Sequence, residues 1–292
     1  MQPVITPQDL LPHLEDPKWA IVDCTFDLNN PRQGEADYLK THIPGAVYAD
    51  LERDLSSLPN GKNGRHPLPS PEDLARVFSR LGIGEDSTVV AYDRNGAPYA
   101  ARLWWSLQYL GGSKLAVLDG GLDAWVQAGY PVRSGAEMNT PARFVPAVQS
   151  DMLVTTPQIG ARLGSGEDLL LDARAPERYR GEEEPYDPVA GRIPGAANFD
   201  WEDNLDENGR FKSPAALREQ YERVLGAHPS SAVVAYCGSG VTSCHLLLAM
   251  AHAGIGGGRL YAGSWSEWCS DPTRPIAVGV EPSLGESEAK TD

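Results

Sequence analysis

Apolar residues recur along the chain in two kinds of pattern, short runs and helix-spaced stripes. Residues 88–91 and 232–236 are short apolar runs, which predict buried strands. Residues 71–81 instead place apolar side chains three or four positions apart, which predicts an amphipathic helix. Strands that alternate with helices favour an α/β fold, in which helices cover both faces of a mainly parallel sheet.

The same series of landmarks occurs twice in the chain. The paired segments are 21–23 and 170–172, 43–46 and 193–196, 70–81 and 213–225, 89–92 and 233–236, and 120–125 and 263–268. Because five landmarks recur in one order, the sequence predicts two tandem domains of the same fold. The expected boundaries are 1–135 for the N-terminal domain, 136–156 for a linker, 157–280 for the C-terminal domain and 281–292 for a polar tail.

The first half is longer than the second at one place. The two Ile-Pro-Gly-Ala motifs are 150 residues apart, whereas the two Ser-Pro helix starts are 143 apart. Seven extra residues therefore lie between Pro44 and Pro71. This region includes residues 59–66, whose proline, glycine and asparagine content predicts an exposed loop. Longer loops on otherwise matched scaffolds often carry function.

Charge and cysteine content narrow the classes of function. The net charge is −15, from 40 acidic and 25 basic residues, and no basic run stands out, which argues against a nucleic-acid partner. No apolar stretch approaches the roughly 20 residues that cross a bilayer, and the first residues do not resemble a signal peptide. The four cysteines form no CxxC pair and no metal-ligand group with histidine. We expect a cytoplasmic protein with reduced thiols and without a metal, a cofactor or a membrane partner.

Cys237 stands where an α/β fold is expected to place its chemistry. It follows the strand predicted at 232–236 and begins a loop with two glycines, before a helical pattern that starts near His245. Ligands of open α/β folds bind beyond the carboxyl ends of the strands. Inward N–H groups and a helix dipole lower a thiol pKa there from about 8.5 towards roughly 3.5–7.5. The same loop can stabilise a persulfide anion without a metal.

The other cysteines lack this setting. A free cysteine is most often a small buried hydrophobic residue, and we keep that interpretation for Cys24, Cys244 and Cys269. The first half carries Asp93 at the position equivalent to Cys237. The repeat therefore predicts one reactive loop rather than two.

A cysteine-dependent phosphatase would use the same architecture. It needs an arginine six residues after the cysteine to hold phosphate through two hydrogen bonds. Ser243 occupies that position, and residues 237–243 contain no arginine. Phosphatase chemistry is disfavoured, whereas sulfur transfer needs only a thiolate and N–H donors.

Over residues 5–280 the sequence resembles the tandem-domain rhodanese superfamily of sulfurtransferases. The resemblance rests on the paired Ile-Pro-Gly-Ala motifs, on Tyr92-Asp93 against Tyr236-Cys237, and on the Gly-Ser-Trp-Ser-Glu-Trp run at 263–268. The loop Cys-Gly-Ser-Gly-Val-Thr is similar to that of members that use 3-mercaptopyruvate. Members that use thiosulfate typically carry Arg-Lys after the cysteine.

The resemblance implies an enzyme that moves a sulfane sulfur from 3-mercaptopyruvate to an acceptor through a Cys237 persulfide and releases pyruvate. The acceptor would be a thiol, cyanide or reduced thioredoxin. Because Gly238-Ser239 brings no positive charge, a monoanionic keto acid thiol fits better than doubly charged thiosulfate. Two alternatives stay open: a thiosulfate sulfurtransferase, and a non-enzymatic persulfide carrier that delivers sulfur to a partner protein.

The resemblance also implies roles for individual residues. The family's proton relay of a serine, a histidine and an acid falls on Ser239, His66 and Glu52. Arg178 matches an arginine that binds the substrate carboxylate, whereas Tyr186 takes the place of the family's second arginine. The remaining expected substrate-binding residues are those of the loop, Gly238, Gly240, Val241, Thr242 and Ser243.

Overall fold

The computed structural model describes residues 1–280, so the predicted polar tail at 281–292 lies outside the described residues. The N-terminal half contains β1 (Val4–Ile5), α1 (Pro7–Leu10), β2 (Trp19–Asp23), α2 (Gln33–Lys40), β3 (Val47–Tyr48), α3 (Pro71–Arg80), β4 (Thr88–Tyr92), α4 (Pro98–Tyr109), β5 (Leu115–Leu118) and α5 (Gly121–Gln127). The C-terminal half contains α6 (Thr156–Arg162), β6 (Leu169–Asp172), α7 (Pro176–Arg180), β7 (Ala197–Asn198), α8 (Pro214–Leu225), β8 (Val233–Tyr236), α9 (Thr242–His252), β9 (Arg259–Leu260) and α10 (Ser264–Trp268). Single turns of 3₁₀-helix lie at Leu11–His13, Ser150–Met152, Trp201–Asn204 and Ser230–Ala232.

Each half builds its own sheet, and all paired strands are parallel. The strand order is β1-β5-β4-β2-β3 in the first sheet and β7-β6-β8-β9 in the second. The predicted fold class, two α/β domains with parallel sheets flanked by helices, is confirmed. Strands β4 and β8 lie inside their sheets, so the loops that follow them emerge where open α/β folds bind ligands.

The two Ser-Pro helix starts form the caps that the sequence predicts. Ser70 Oγ accepts a hydrogen bond from the backbone N–H of Asp73 at 3.1 Å, and Ser213 Oγ accepts one from Ala216 at 3.3 Å. The proline that follows each serine loses nothing, because the first helical N–H has no partner within a helix. None of the helices within residues 1–280 is long and apolar enough to cross a membrane.

The two halves are joined by a shared hydrophobic cluster. Helices α4 and α9 pack against each other across the boundary between the halves. The cluster includes Leu103 and Leu107 of α4 together with Leu246 and Met250 of α9, all of them buried. Apolar burial is the main favourable term in such packing. As a result, α4 lies beside the loop that contains Cys237.

The segment predicted as a linker, 136–156, is irregular apart from the 3₁₀ turn at Ser150–Met152, and it runs along the first half before α6 begins. Its backbone bonds to that half at several points. Phe144 donates its N–H to Ser79 Oγ at 3.1 Å, and Ala147 donates its N–H to the Leu110 carbonyl at 2.9 Å. The segment is therefore bound to the surface of the first half.

Candidate active site

Cys237 is the first residue after β8, and its side chain is buried, with 1% of the residue exposed. The backbone N–H of Gly240 donates to its Sγ at 3.1 Å, and Ser243 Oγ lies 3.6 Å from the same sulfur. The backbone N–H of Cys237 donates to Ser264 Oγ at 3.1 Å, which fixes the start of the loop. The loop thus surrounds the sulfur with hydrogen-bond donors.

Two opposing effects set the pKa of the Cys237 thiol. Burial raises the pKa, but hydrogen bonds from the Thr242 and Ser243 hydroxyls and from the N–H groups of Ser243 and Ser239 lower it. The donors outweigh burial, so the pKa lies below its ordinary value. A lowered pKa increases the thiolate fraction at neutral pH, and the thiolate is the nucleophile.

We expect Cys237 to react with iodoacetamide at lower pH than Cys269. Reactivity falls as pH drops through the thiol pKa, and burial raises the pKa of Cys269 to about 11. Alkylation of each cysteine, followed by mass spectrometry across pH, gives both midpoints. Substituting Thr242→Val and Ser243→Ala together removes two hydroxyl donors and should move the Cys237 midpoint upward. An unchanged midpoint in that variant would exclude the hydroxyls as its cause.

The equivalent loop of the first half already holds an anion-forming group. Asp93 is buried, and its carboxylate accepts the backbone N–H groups of Asn95, Ala97, Tyr99 and Ala100 at 2.9–3.0 Å. Burial raises the pKa of Asp93, and these four bonds oppose that rise. Both carboxylate oxygens act as acceptors. The repeated loop is therefore built to surround a buried acceptor with N–H donors, whichever side chain it carries.

Gly240 is required by the shape of the loop. Its φ of +79° is a conformation that favours glycine. A Cβ atom at this position would lie 2.3 Å from the carbonyl oxygen of Ala262, so no larger residue fits without moving the backbone. This close approach places the Gly240 N–H within bonding distance of Cys237 Sγ.

His66 of the first half contacts Ser239, a residue of the Cys237 loop. His66 Nδ1 and Ser239 Oγ are joined by a hydrogen bond of 2.7 Å, and both residues are buried. Burial, with the charges of Arg65 and Arg102, lowers the pKa of His66 to about 3. The imidazole is therefore neutral at physiological pH. A neutral imidazole has one nitrogen that donates and one that accepts, which suits it to pass a proton to or from a hydroxyl.

Glu52 lies apart from this pair. Its side chain is exposed, and its backbone N–H donates to the buried Asp50 carboxylate at 2.9 Å. In the part of the chain that the structure describes, the Glu52 carboxylate makes no hydrogen bond or ion pair with His66. The structure brings together two of the three residues expected to form a relay, Ser239 and His66.

Arg102 of α4 ties the two halves of the site together, although it is absent from the residues predicted above. Its side chain is fully buried, and Nη1 donates to the Gly240 carbonyl at 2.8 Å. Nη2 donates to the carbonyls of His66 at 3.1 Å and Leu55 at 3.3 Å. Within residues 1–280 it forms no ion pair. The sequence did carry a signal for this role, since Arg102 lies in the middle of a mostly apolar helix. An arginine is almost never fully buried unless it has partners.

A cavity of about 390 Å³ opens in front of Cys237. Gly238, Val241 and Thr242 of the loop line it, whereas Gly240 and Ser243 contact the sulfur through hydrogen bonds. Its other walls include Arg178 and Tyr186 from the second half and Arg65 and Tyr99 from the first. A larger cavity, of about 620 Å³, is lined by none of the predicted site residues. Most of the predicted site residues therefore line the smaller cavity, and none lines the larger one.

The remaining cysteines are buried, as expected. Burial raises the pKa of Cys244 to about 12 and raises that of Cys24 well above its ordinary value. Within residues 1–280, no group of three or more His, Cys, Asp or Glu side chains is arranged to hold a metal ion. Of the four thiols, Cys237 alone has a lowered pKa.

Comparison with known proteins agrees with the fold. The profile of the rhodanese-like domain matches residues 6–128 and 155–271. A probable 3-mercaptopyruvate sulfurtransferase of Pseudomonas aeruginosa is 46% identical over 94% of this chain and 98% of its own length. A putative thiosulfate sulfurtransferase of Mycobacterium tuberculosis is 40% identical over 89% of this chain and 91% of its own length. The solved 3-mercaptopyruvate sulfurtransferase from Leishmania major superposes with a TM-score of 0.81 at 30% identity, covering 91% of this chain and 74% of that one.

The chain belongs to the rhodanese-like family and contains two such domains. It is a sulfurtransferase, and the prediction of that class from the sequence is confirmed. Its relatives include enzymes named for 3-mercaptopyruvate and enzymes named for thiosulfate. The family therefore does not decide which sulfur donor this protein uses.

Proposed function

We propose that the protein transfers sulfur from 3-mercaptopyruvate through a persulfide on Cys237 to a small thiol, cyanide or reduced thioredoxin. The observation that carries this proposal is the bonded pair of Ser239 and His66 beside the thiol. Cleavage of 3-mercaptopyruvate requires a proton on carbon, whereas cleavage of thiosulfate does not. The C-terminal domain, 157–280, supplies the nucleophile, and the N-terminal domain, 1–135, supplies His66.

The first step forms one bond and breaks another. The Cys237 thiolate attacks the sulfur of 3-mercaptopyruvate, and an S–S bond forms as the C–S bond breaks. The electron pair of the C–S bond leaves with the carbon as the enolate of pyruvate. The proton of the substrate thiol ends on that carbon, which completes the methyl group of pyruvate and leaves a persulfide anion on Cys237. The N–H groups around Sγ are placed to stabilise that anion.

Ser239 and His66 can carry this proton without becoming charged. A hydroxyl and a neutral imidazole each have one donor and one acceptor. When one of the two groups takes up a proton and the other releases one, a proton also passes between them. Both the Ser239 hydroxyl and the His66 imidazole are then neutral again. Glu52 is left out of the proposed relay because its carboxylate is exposed and makes no bond to His66 within the described residues.

The second step returns the enzyme to its starting state. The thiolate or cyanide acceptor attacks the outer sulfur, and the electrons of the S–S bond return to Cys237 as a thiolate. Two half-reactions through a covalent intermediate give ping-pong kinetics. We place the reaction in the cytoplasm, because all four cysteines are free and a reducing compartment keeps them so.

Substituting Ser239→Ala should separate the two donors. We expect kcat for 3-mercaptopyruvate to fall about 10²- to 10⁴-fold, the usual contribution of a positioned proton donor. Turnover of thiosulfate should change little, because sulfite leaves without a proton on carbon. Steady-state rates with both donors measure the effect, and thiosulfate serves as the internal control. An equal loss with both donors would contradict the relay.

A thiosulfate sulfurtransferase is the second candidate, because three arginines, Arg65, Arg174 and Arg178, line the cavity. Comparing kcat/KM of the wild-type protein for the two donors decides between them, and we expect 3-mercaptopyruvate to be preferred. A non-enzymatic persulfide carrier would turn over both free donors poorly and would release its sulfur only to a partner. The Ser239–His66 pair favours the enzyme, since a carrier has no carbon to protonate.

A further inference from the structure

Two arginine side chains, one from each half of the chain, converge on the residue that follows Cys237. A Cβ atom built on Gly238 would lie 2.9 Å from Nη2 of Arg65 and 3.1 Å from Nη2 of Arg178. Both side chains line the cavity that contains Cys237. Like charges held this close repel each other, so their arrangement needs compensation from nearby acids.

Two buried acids between α7 and β7 supply that compensation. Glu184 accepts hydrogen bonds from Arg178 Nη2 at 2.7 Å and from its Nε at 3.3 Å. Asp187 forms an ion pair with Arg65 Nη1, and its other carboxylate oxygen lies 3.6 Å from Arg178 Nη2. Only 3% of each acidic side chain is exposed. The acids orient the two cations without blocking the cavity.

Within the described residues, each arginine keeps a terminal nitrogen that makes no hydrogen bond. Within residues 1–280, neither Nη2 of Arg65 nor Nη1 of Arg178 donates a hydrogen bond. Both nitrogens lie near Gly238, since a Cβ atom there would be 2.9 Å from the first and 3.4 Å from the second. A guanidinium binds along one edge with its fork of donors, so an acid on one edge leaves the other edge for a ligand. The two unpartnered nitrogens therefore face a common point beside Cys237.

Tyr186 and the backbone hold this arrangement in place. The guanidinium carbon of Arg65 lies 5.3 Å from the centre of the Tyr186 ring, and that of Arg178 lies 5.1 Å from it. Stacking on a ring fixes a guanidinium while its edges stay available. The backbone N–H of Arg65 also donates to Ser266 Oγ at 3.0 Å, which anchors the longer first-half loop to the second half.

We propose that Arg65 is a specificity-determining residue that binds the carboxylate of the sulfur donor together with Arg178. This inference rests on the proposed function. A keto acid thiol has its carboxylate only two carbons from the carbon that bears sulfur, so both ends fit between Gly238 and the Cys237 thiol. The second cation comes from the N-terminal half, because Tyr186 occupies the place where the family carries its second arginine. The longer loop of the first half, which carries Arg65, thus completes the donor site.

Two donors that differ only in the carboxylate test the inference. Substituting Arg65→Gln should raise KM for 3-mercaptopyruvate about 10- to 100-fold, the usual range for losing a hydrogen bond to a charged group. The kcat value should stay within about 3-fold, since the Ser239–His66 hydrogen bond remains and burial, the largest cause of the low His66 pKa, is unchanged. For 1-mercaptopropan-2-one, which lacks the carboxylate, KM should not change. Arg178→Gln should give the same pattern, and Arg65→Lys should give an intermediate KM.

Lys62→Gln is the matched control, because it removes one positive charge from the same loop outside the cavity. Its KM for 3-mercaptopyruvate should equal that of the wild type. An unchanged KM in Arg65→Gln would overturn the inference. An equal rise in KM for both donors would also overturn it, since general loosening of the site affects both. A rise confined to thiosulfate would overturn it in favour of a sulfonate-binding role.

Persulfide formation separates this inference from the proposed function. If wild-type protein gains no sulfur from saturating 3-mercaptopyruvate, the proposed function fails, and the inference fails with it. If wild type and Arg65→Gln both gain the sulfur at saturation and share one KM, only the inference about Arg65 fails. The intact mass of each protein after one incubation shows whether the sulfur is gained, and steady-state rates give the KM values.

Discussion

Replacing Cys237 by serine should abolish sulfur transfer from every donor. A serine oxygen cannot form a persulfide, and its hydroxyl remains protonated where the thiol of Cys237 has a lowered pKa. We expect the rate to fall by about 10⁴-fold or more, the scale seen when a covalent nucleophile is removed. Release of pyruvate from 3-mercaptopyruvate and formation of thiocyanate from cyanide should be lost together. Initial rates measured with each acceptor give the effect.

Cys269→Ser is the control for that substitution. Cys269 is also buried, but it lies outside the cavity, and burial raises its pKa to about 11. Its replacement should leave both donor rates near those of the wild type. Retention of sulfur transfer in Cys237→Ser, or an equal loss in Cys269→Ser, would contradict the assignment of Cys237 as the nucleophile.

Replacing Arg102 by methionine should cause the second largest effect, a loss of both stability and activity. The buried carbonyls of Gly240, His66 and Leu55 lose the guanidinium donor. Of these, the Gly240 carbonyl keeps a weak donor, the Cys244 thiol, at 3.3 Å. Each unsatisfied buried acceptor costs about 1–3 kcal/mol, and the relief of a buried charge offsets part of that sum. We expect the free energy of unfolding to fall by about 2–4 kcal/mol. Urea unfolding followed by fluorescence and by circular dichroism measures it.

Activity should fall with Arg102 for a separate reason. Arg102 donates to the carbonyl of Gly240, and the N–H of the same residue donates to Cys237 Sγ. The arginine therefore helps to hold Gly240 in the position that this second bond requires. The charge of Arg102 also helps to lower the pKa of His66, so its removal should raise that pKa. Arg76→Met is the control, because the Arg76 side chain is 74% exposed and, among the described residues, pairs only with Asp73. An unfolding free energy of Arg102→Met within about 0.5 kcal/mol of that control would contradict the role given to Arg102.

The fold is predictable because its signals are local and appear twice. Ser70 and Ser213 each precede a proline and an apolar stripe, and both cap helices in the structure. The strand predicted at 232–236 appears as Val233–Tyr236. Helix α9 begins at Thr242, three residues before the helical pattern near His245. The apolar pattern does not predict this first turn, because its residues belong to the Cys237 loop and not to the apolar stripe.

The site is predictable only where its residues are consecutive in the sequence. Cys237 stands out because its strand, glycines and helix are consecutive. The contact between His66 and Ser239 joins residues 173 positions apart, and only the family resemblance pointed to it. The bond from Arg102 to Gly240 spans 138 positions and leaves no local pattern. Resemblance also placed Glu52, but an aligned position does not fix the direction of a side chain, and this one faces solvent.

The most direct test of this account is the intact mass of the protein after incubation with 3-mercaptopyruvate. We predict that wild-type protein gains one sulfur atom, that the sulfur lies on the peptide containing Cys237, and that cyanide removes it. Cys269→Ser should gain the same sulfur, whereas Cys237→Ser should gain none. The absence of any adduct from either 3-mercaptopyruvate or thiosulfate, or a sulfur located on another cysteine, would contradict the claim that Cys237 carries the transferred sulfur.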